Sequence, residues 1–455
     1  INQLEIYFNL EQKSIQREQW NNKLGFILAS VGSAVGLGNL WGFAYSSSEG
    51  GGAAFVILYI LVVLIVCFPI FVAEFSLGRN SNTSAYLAPI KAAGNNWAPL
   101  GWLFIIAPIA IASYYAVVMS WTGEVFLLSL FDKLPKNAGD SAIFFESISN
   151  GNHVFLGQLF SLGLGSYIVA GGIKRGIEKL NVICMPILFL ILFVLVIWAA
   201  FLGKAGEGYS NLFLNFDIKQ LTNPTNIRLA FSQAFFSLSL GIGVMITYSS
   251  YLNKKSNLPK QAIQISFLDT LVGLMAGLIT FPIIYSFNMS NSISESTIGT
   301  LFTTIPTGLG QYGLVGRLMA VLFFGLAYIA AITSMVSLLE VPVSTLIDKF
   351  NLKRKYASIY SFLLIFVIGI PSVKSISFLD NLDSIARTLL IGGGFLVAFL
   401  MGSVLPRVLE TELENSGSSL KTKYYLKFML RYVTPVLVAW GFLISIYDLM
   451  IKLTT

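Results

Sequence analysis

Gly32, Gly36 and Gly38, the amide of Asn39 and the hydroxyls of Ser46, Ser47 and Ser48 all fall within residues 29 to 52, in the first long apolar segment, where a membrane helix would carry Leu and Val. In hydrocarbon an unpaired backbone N–H or C=O is costly, so unwound chain persists at membrane depth only where it lines a site. Carbonyls freed by such a break, joined by an Asn oxygen, hold a small cation. The exposed N–H groups of the half-helix that follows hold a carboxylate. The stretch reads as a site for an ion and an anionic group, and the competing reading is a close helix crossing between small residues.

A second interruption, Ser232 to Gly243, comes five spans later as Ser-Gln-Ala-Phe-Phe-Ser-Leu-Ser-Leu-Gly-Ile-Gly. Serines on a membrane helix commonly bond back to the preceding turn, but paired breaks at corresponding places point to a midplane site in an inverted-repeat transporter. Asp269 lies inside the seventh apolar span, and an intramembrane carboxylate is a functional candidate by default. Thr333 and Ser334 bring two adjacent hydroxyls to the eighth span, a turn after small residues. Hydroxyl and carbonyl oxygens suit a hard monovalent cation, and the scarcity of carboxylates argues against a calcium cage. Ordinary helix–helix contact is the alternative for Thr333 and Ser334.

These groups need helices to position them. The chain of 455 residues is 55% hydrophobic and 11% charged, too little polar surface for a soluble protein of this size. Apolar runs begin near residues 24, 53, 97, 153, 180, 226, 260, 313, 356, 384 and 430, which predicts about eleven membrane helices. The polar first 20 residues precede a run too long and too broken for a signal peptide. Lys and Arg collect on one side: Arg17 and Lys23, Arg79 and Lys91, Lys174 to Lys179, Lys254 to Lys260, and Lys349 to Lys355. Loops 132 to 152 and 288 to 316 fall on the other, the latter without Lys or Arg. The amino terminus is therefore expected in the cytoplasm and the carboxyl terminus outside. This asymmetry accounts for the net charge of +7 and argues against nucleic-acid binding. Cys67 and Cys184 sit in apolar runs, and His153 has no second His or Cys for a metal. No nucleophile has a base at motif spacing, so nothing reads as an enzyme.

From Arg17 to about Tyr447 the chain resembles the neurotransmitter:sodium symporter family, in its bacterial amino-acid branch. The resemblance rests on Arg-Glu-Gln-Trp at 17 to 20, Ala-Val-Gly-Leu-Gly-Asn at 34 to 39, Tyr114-Tyr115, Lys-Arg-Gly-Ile-Glu at 174 to 178, Ser237 to Gly241 and Thr-Tyr-Ser-Ser-Tyr at 247 to 251. It implies an all-α membrane fold of the leucine-transporter type, with a 5+5 inverted repeat and broken first and sixth helices. The corresponding divisions are a cytoplasmic segment 1–22, a ten-helix core 23–405 (repeats 23–202 and 226–405), and a loop with the eleventh helix at 406–455.

The resemblance further implies a multi-pass protein of the bacterial inner membrane that carries an amino acid with sodium at two sites. One sodium would take the Ala34 carbonyl, Asn39, Ser237 and Asp269, with the cargo carboxylate completing its shell. The second would take the Gly32, Val35 and Ala330 carbonyls with Thr333 and Ser334. The cargo carboxylate would meet the Leu37 and Gly38 N–H groups and Tyr115. Its amino group would face Ala34, Phe236, Ser237 and the region of Ser239, and Ile111, Phe236, Ile242 and Leu338 would wall its side chain. A large neutral amino acid fits that lining. Monoamine carriers of the family have Asp at Gly36, and glycine leaves room for the cargo's own carboxylate. Asp269, where many relatives have Asn, implies independence of chloride.

On the inner side, the family's gate corresponds to Arg17 and Asp348, supported by Trp20, Ser250 and Tyr251. The usual Arg-Phe-Pro after the first break is Gly42-Phe43-Ala44, so the outer-gate Arg is missing while its acid, Asp383, remains. Asp383 is expected to pair with Arg387 four residues on, and outer closure to lean on Tyr115 and Phe236. In the family Glu74 would tie the two broken helices together, and a plain interfacial Glu is the alternative. Glu124 finds no role in the sequence. A gate-altered, non-transporting sensor is the alternative function.

Overall fold

The computed structural model describes residues 17–287 and 300–454; expectations about residues 1–16, and about 288–299 of the loop 288 to 316, lie outside this range. The described chain is helical, with no strand. The elements that frame the site and its two faces are α1 (Lys23–Ala34), α2 (Gly38–Glu49), α3 (Ala53–Ser81), α4 (Asn95–Leu130), α5 (Asn152–Ala170), α6 (Ile173–Ala200), α7 (Pro224–Ser237), α8 (Val244–Ser249), α9 (Leu258–Ser286), α10 (Gly313–Phe350), α11 (Arg354–Lys374), α12 (Ile376–Val404), α13 (Pro406–Asn415) and α14 (Leu420–Lys452).

Nine of these are long and apolar enough to span a membrane, and the α1–α2 pair, bent by 62°, makes a tenth. The eleventh expected run is the α7–α8 pair, whose halves of 14 and 6 residues are each too short to count. The last two spans start earlier than hydropathy indicates, at residues 376 and 420, because the charged residues Asp380, Asp383, Lys421 and Lys427 lie on the helices themselves.

Each break has a local cause. Val35 turns extended after α1, and the chain re-enters through a wide turn over Gly38–Gly42. After α7, Ser239, Gly241 and Gly243 adopt positive φ of 52°, 79° and 78°. Such a conformation costs a non-glycine residue about 1–2 kcal/mol. Two hydrogen bonds hold it: Ser239 Oγ donates to the Ser33 carbonyl at 3.0 Å, and the Gly241 N–H donates to Glu74 Oε1 at 2.6 Å. A side chain at Gly241 would collide with the backbone of Leu390 and Gly394.

The core lies where α4 and α10 run against each other in the most extensive packing of the molecule. Against it, α1 packs on α6, α9 and α10, while α7 packs on α3, α12 and α14. Apolar side chains also face outward: Leu190, Phe193 and Ile197 on α6, and Val436, Trp440, Leu443 and Tyr447 at helical spacing on α14 are exposed. A bilayer is the solvent such stripes require.

Candidate functional site

The two breaks meet. Asn39, at the start of α2, donates through Nδ2 to Ser237 Oγ and to Asp269 Oδ1, both at 2.7 Å, and Ser237 donates to Asp269 Oδ2 at 2.7 Å. The side chains from the first break, the second break and the seventh expected span thus form one buried cluster. The amide faces it with its donors, whereas the expected ligand was the oxygen. That oxygen instead accepts the Gly36 N–H at 3.1 Å, because the acceptor-only carboxylate of Asp269 draws the NH2 group toward itself. Tyr59 on α3, not foreseen from sequence, reaches Asp269 Oδ2 at 3.4 Å.

A second polar cluster lies where α1 ends against α10. Ser334 Oγ stands 3.3, 3.2 and 3.2 Å from the carbonyls of Gly32, Ser33 and Val35. Thr333 turns its hydroxyl back on its own helix, to the Ala330 carbonyl at 2.9 Å. Ser33 and Ser337 link the two helices directly at 2.7 Å. Among the described residues, no group of three or more His, Cys, Asp or Glu side chains is placed to hold a metal. The first cluster joins one carboxylate to a hydroxyl and the NH2 group of Asn39, and the second is built of hydroxyl and carbonyl oxygens.

Between the clusters is a cavity of about 30 Å3, lined by Ala34, Gly36, Gly38, Ile111, Tyr115, Phe236, Ser239, Ile242 and Leu338. Ser33, Ser334 and Leu390 also line it; of these, sequence reading had placed only Ser334 in the site. The Leu37 N–H donates to the Tyr115 hydroxyl at 3.0 Å, so the half-helix start and the tyrosine point at one place. A Cβ at Gly36 would stand 2.9 Å from the Tyr115 hydroxyl and 2.8 Å from Ser334 Oγ, which fills that place. A hydrogen-bonding corner thus adjoins an apolar chamber, with a polar cluster on either side. Glu74 bonds the second break only; among the described residues its Oε2 has no partner, and no bond joins it to the first break.

Charged groups and rings flank the cavity on both faces. On one face Arg17 Nη1 pairs with Asp348 Oδ2 at 2.6 Å and Arg17 Nη2 donates to Ser250 Oγ at 2.7 Å. The same guanidinium lies 4.6 Å from the Tyr251 ring centre, and Trp20 Nε1 donates to the Tyr248 carbonyl at 2.9 Å. Beneath them, buried Glu340 accepts from Tyr251 at 2.6 Å and from Arg354 at 2.7 Å, and Arg354 in turn pairs with Glu18 at 2.9 Å. On the opposite face Asp383 pairs with Arg387 at 2.7 Å and accepts from Tyr114 at 2.7 Å. Glu124, unassigned in the sequence, pairs with His153 at 3.2 Å. The Glu340–Arg354 and Glu124–His153 partners sit on different helices, and sequence gives no signal for such pairs.

Three comparisons bear on these groups. The model of the sodium:neurotransmitter symporter family matches residues 17–153 and 145–454. An uncharacterized sodium-dependent transporter of Bacillus subtilis is 33% identical over 454 residues, covering 95% of this chain and 98% of its own, and one of Methanocaldococcus jannaschii is 34% identical over 449 residues, covering 93% and 89%. The crystal structure of MhsT in complex with L-phenylalanine superposes with a TM-score of 0.86 at 35% identity, covering 94% of this chain and 100% of that one.

Proposed function

Because the chain belongs to the sodium:neurotransmitter symporter family, whose members are sodium-dependent transporters, we propose that it carries a large neutral amino acid together with sodium by alternating access. The observation that carries this reading is the Leu37 N–H and Tyr115 hydroxyl meeting at 3.0 Å beside Gly36, at the mouth of an apolar cavity between two polar clusters. MhsT, similar along nearly the whole chain, was crystallised with L-phenylalanine, which supports a large cargo.

In this reading Ala34, Asn39, Ser237 and Asp269 hold one sodium, with the cargo carboxylate as a further ligand. Gly32, Val35, Ala330, Thr333 and Ser334 hold the other. Sodium entering the first site displaces the bonds that Asn39 and Ser237 donate to Asp269, and the Asn39 amide turns so that its oxygen, which accepts from the Gly36 N–H here, faces the ion. The shared carboxylate then couples the two ligands, so each raises the other's affinity by the same factor. Each sodium moving inward down a potential of 100 mV contributes about 2.3 kcal/mol. Two ions per zwitterionic amino acid therefore concentrate it strongly. The buried Asp269 carboxylate supplies a fixed negative charge beside the first sodium, and transport is independent of chloride.

The excess of Lys and Arg near Arg17, Lys174 and Lys349 supports a cytoplasmic Arg17–Asp348 face in a bacterial inner membrane. Repeats 23–202 and 226–405 then carry the two broken helices in opposite orientation around the site. The test is uptake of a radiolabelled amino-acid panel into proteoliposomes, with an inward sodium gradient and then with choline in its place. Sodium-driven accumulation of phenylalanine or a comparable amino acid, unchanged when gluconate replaces chloride, is expected. Sodium-dependent binding without accumulation would instead favour the sensor, for which the absent Arg at Gly42 is the observation.

A further inference from the structure

We infer that the face opposite Arg17 and Asp348 closes on α7, through Arg387 stacked on Phe236 and Arg228 paired with Asp448, and not on α2. The inference rests on the transport reading above. α2 offers no cation: position 42 is Gly, and the space beside it holds Gln233, whose Oε1 would stand 2.8 Å from a Cβ there and whose Nε2 donates to the Gly38 carbonyl at 3.0 Å. Asp383 is already engaged by Arg387 and Tyr114, which come from α12 and α4.

The Arg387 guanidinium lies 4.0 Å from the centre of the Phe236 ring. Phe236 belongs to α7 and lines the cargo cavity, so the ring that covers the cargo is the one the cation holds. Eight residues earlier on α7, about 12 Å along the helix axis, Arg228 Nη1 meets Asp448 Oδ2 of α14 at 3.2 Å. Lys452 of α14 pairs with Asp380 of α12 at 2.6 Å and donates to Ser384 at 2.7 Å, which joins the two helices that receive α7. A cavity of about 260 Å3, lined by Arg228, Ser232, Asp383, Arg387, Thr388 and Lys452 among others, separates the two attachments. Uncovering the cargo therefore means that Phe236 leaves Arg387, and widening the mouth means that Arg228 leaves Asp448. Asp383 keeps the guanidinium in place while α7 moves.

The experiment uses the whole chain in proteoliposomes with a reporter cysteine at Ile391→Cys, buried in the wall of that cavity one turn past Arg387, and a thiol reagent that does not cross the membrane. Sodium plus L-phenylalanine is expected to protect the cysteine in the parent. Arg387→Gln should raise labelling under those conditions about tenfold, in line with the loss of a desolvated cation–π contact. Arg387→Lys, which keeps the charge but not the planar fork, should fall between. Arg228→Asp and Asp448→Arg should each raise it about two- to fivefold and together restore protection, as expected of an exposed pair. A second reporter, Ser344→Cys on the Arg17 face, separates gating from damage: a misfolded variant exposes both reporters, an opened gate only the first. Arg387→Gln with parental protection and uptake would overturn the inference. Failure of sodium and phenylalanine to protect the parent would remove the transport reading itself, and the gate with it.

Discussion

The two closures of the cavity differ in construction. The Arg17 face is tied by residues from four separate segments: Arg17 and Glu18, Ser250 and Tyr251, Glu340 and Asp348, and Arg354. Glu340 at its centre is fully buried, and its bidentate partner Arg354 is 15% exposed. The opposite face has a pair within one helix, Asp383 and Arg387, each 18% exposed and met by the Tyr114 hydroxyl of α4, one ring contact, and the more exposed pair of Arg228 and Asp448. Strength follows from burial. Charge pairs out of water resist the loss of one partner far more than wet ones do. Arg17–Asp348 and Asp383–Arg387 are about equally buried, so the inequality rests on the buried Glu340–Arg354 pair beneath Arg17, while the contacts α7 makes on the opposite face are one ring stack and one exposed pair that separate one at a time. A carrier that waits for cargo with its Phe236 side available and its Arg17 side shut needs that inequality.

The most damaging way to break the comparison is at Glu340. Glu340→Gln leaves Arg354 buried without its counter-charge and weakens the bond from Tyr251. Removing one partner of such a pair costs about 3–5 kcal/mol. A large drop in thermal stability in detergent is expected, with strong labelling of Ser344→Cys. A variant as stable as the parent would mean that Glu18 alone satisfies Arg354. Next comes Asp348→Asn. Arg17 and Asp348 are 13% and 17% exposed, and charge-assisted hydrogen bonds of this kind contribute about 1.5–3 kcal/mol. Asp348 also accepts from the Ser84 N–H at 2.6 Å and from Thr83 at 3.1 Å, bonds that an amide oxygen can keep. The variant should fold, label readily on the Arg17 face and accumulate less cargo; unchanged labelling would demote this pair below the Glu340 group.

Sequence made the breaks legible and hid most of what closes around them. Glycines and serines in an apolar run stand out because hydrocarbon tolerates unpaired backbone only at a site, and Gly36, Gly38, Ser237 and Gly241 all lie at the observed breaks. The family pattern indicated Arg17 with Asp348, and helix periodicity indicated Asp383 with Arg387. Tyr59 beside Asp269 and Glu340 beside Arg354 required the fold, since their partners sit 210 and 14 residues away on other helices. The direction of the Asn39 amide was beyond sequence as well, because it depends on which neighbours are acceptors. The sixth span was legible as an apolar run, yet its halves are too short to pass as spans once the chain turns left-handed at Ser239.

A smaller effect sharpens the comparison by adding a contact. Gly42→Arg places a cation on α2, and the atom it meets first is the movable end of Gln233. Alone it should change uptake by no more than about twofold, the scale of an exposed ion pair. Combined with Arg387→Gln it should recover protection of Ile391→Cys, because Asp383 then has a free oxygen for the new arginine. Failure to recover would show that the position of Arg387 over Phe236, and not a cation near Asp383, is what closes this face.

The smallest expected effect belongs to Arg228 and Asp448, and salt is the probe. Their side chains are 28% and 50% exposed, and such pairs contribute about 0.2–1 kcal/mol. Raising ionic strength from about 0.15 M to 1 M shortens the screening length from about 8 Å to 3 Å. The mouth of the Phe236 side should then loosen slightly, with labelling at a Ser232→Cys reporter rising less than about threefold. Glu340 is fully buried and its pair with Arg354 is screened much less, so labelling of Ser344→Cys should move less than that of Ser232→Cys. An equal salt response at both faces would mean that water reaches Glu340 during the transport cycle, and the contrast between a buried pair and a set of separable contacts would then describe one conformation rather than the carrier as it works.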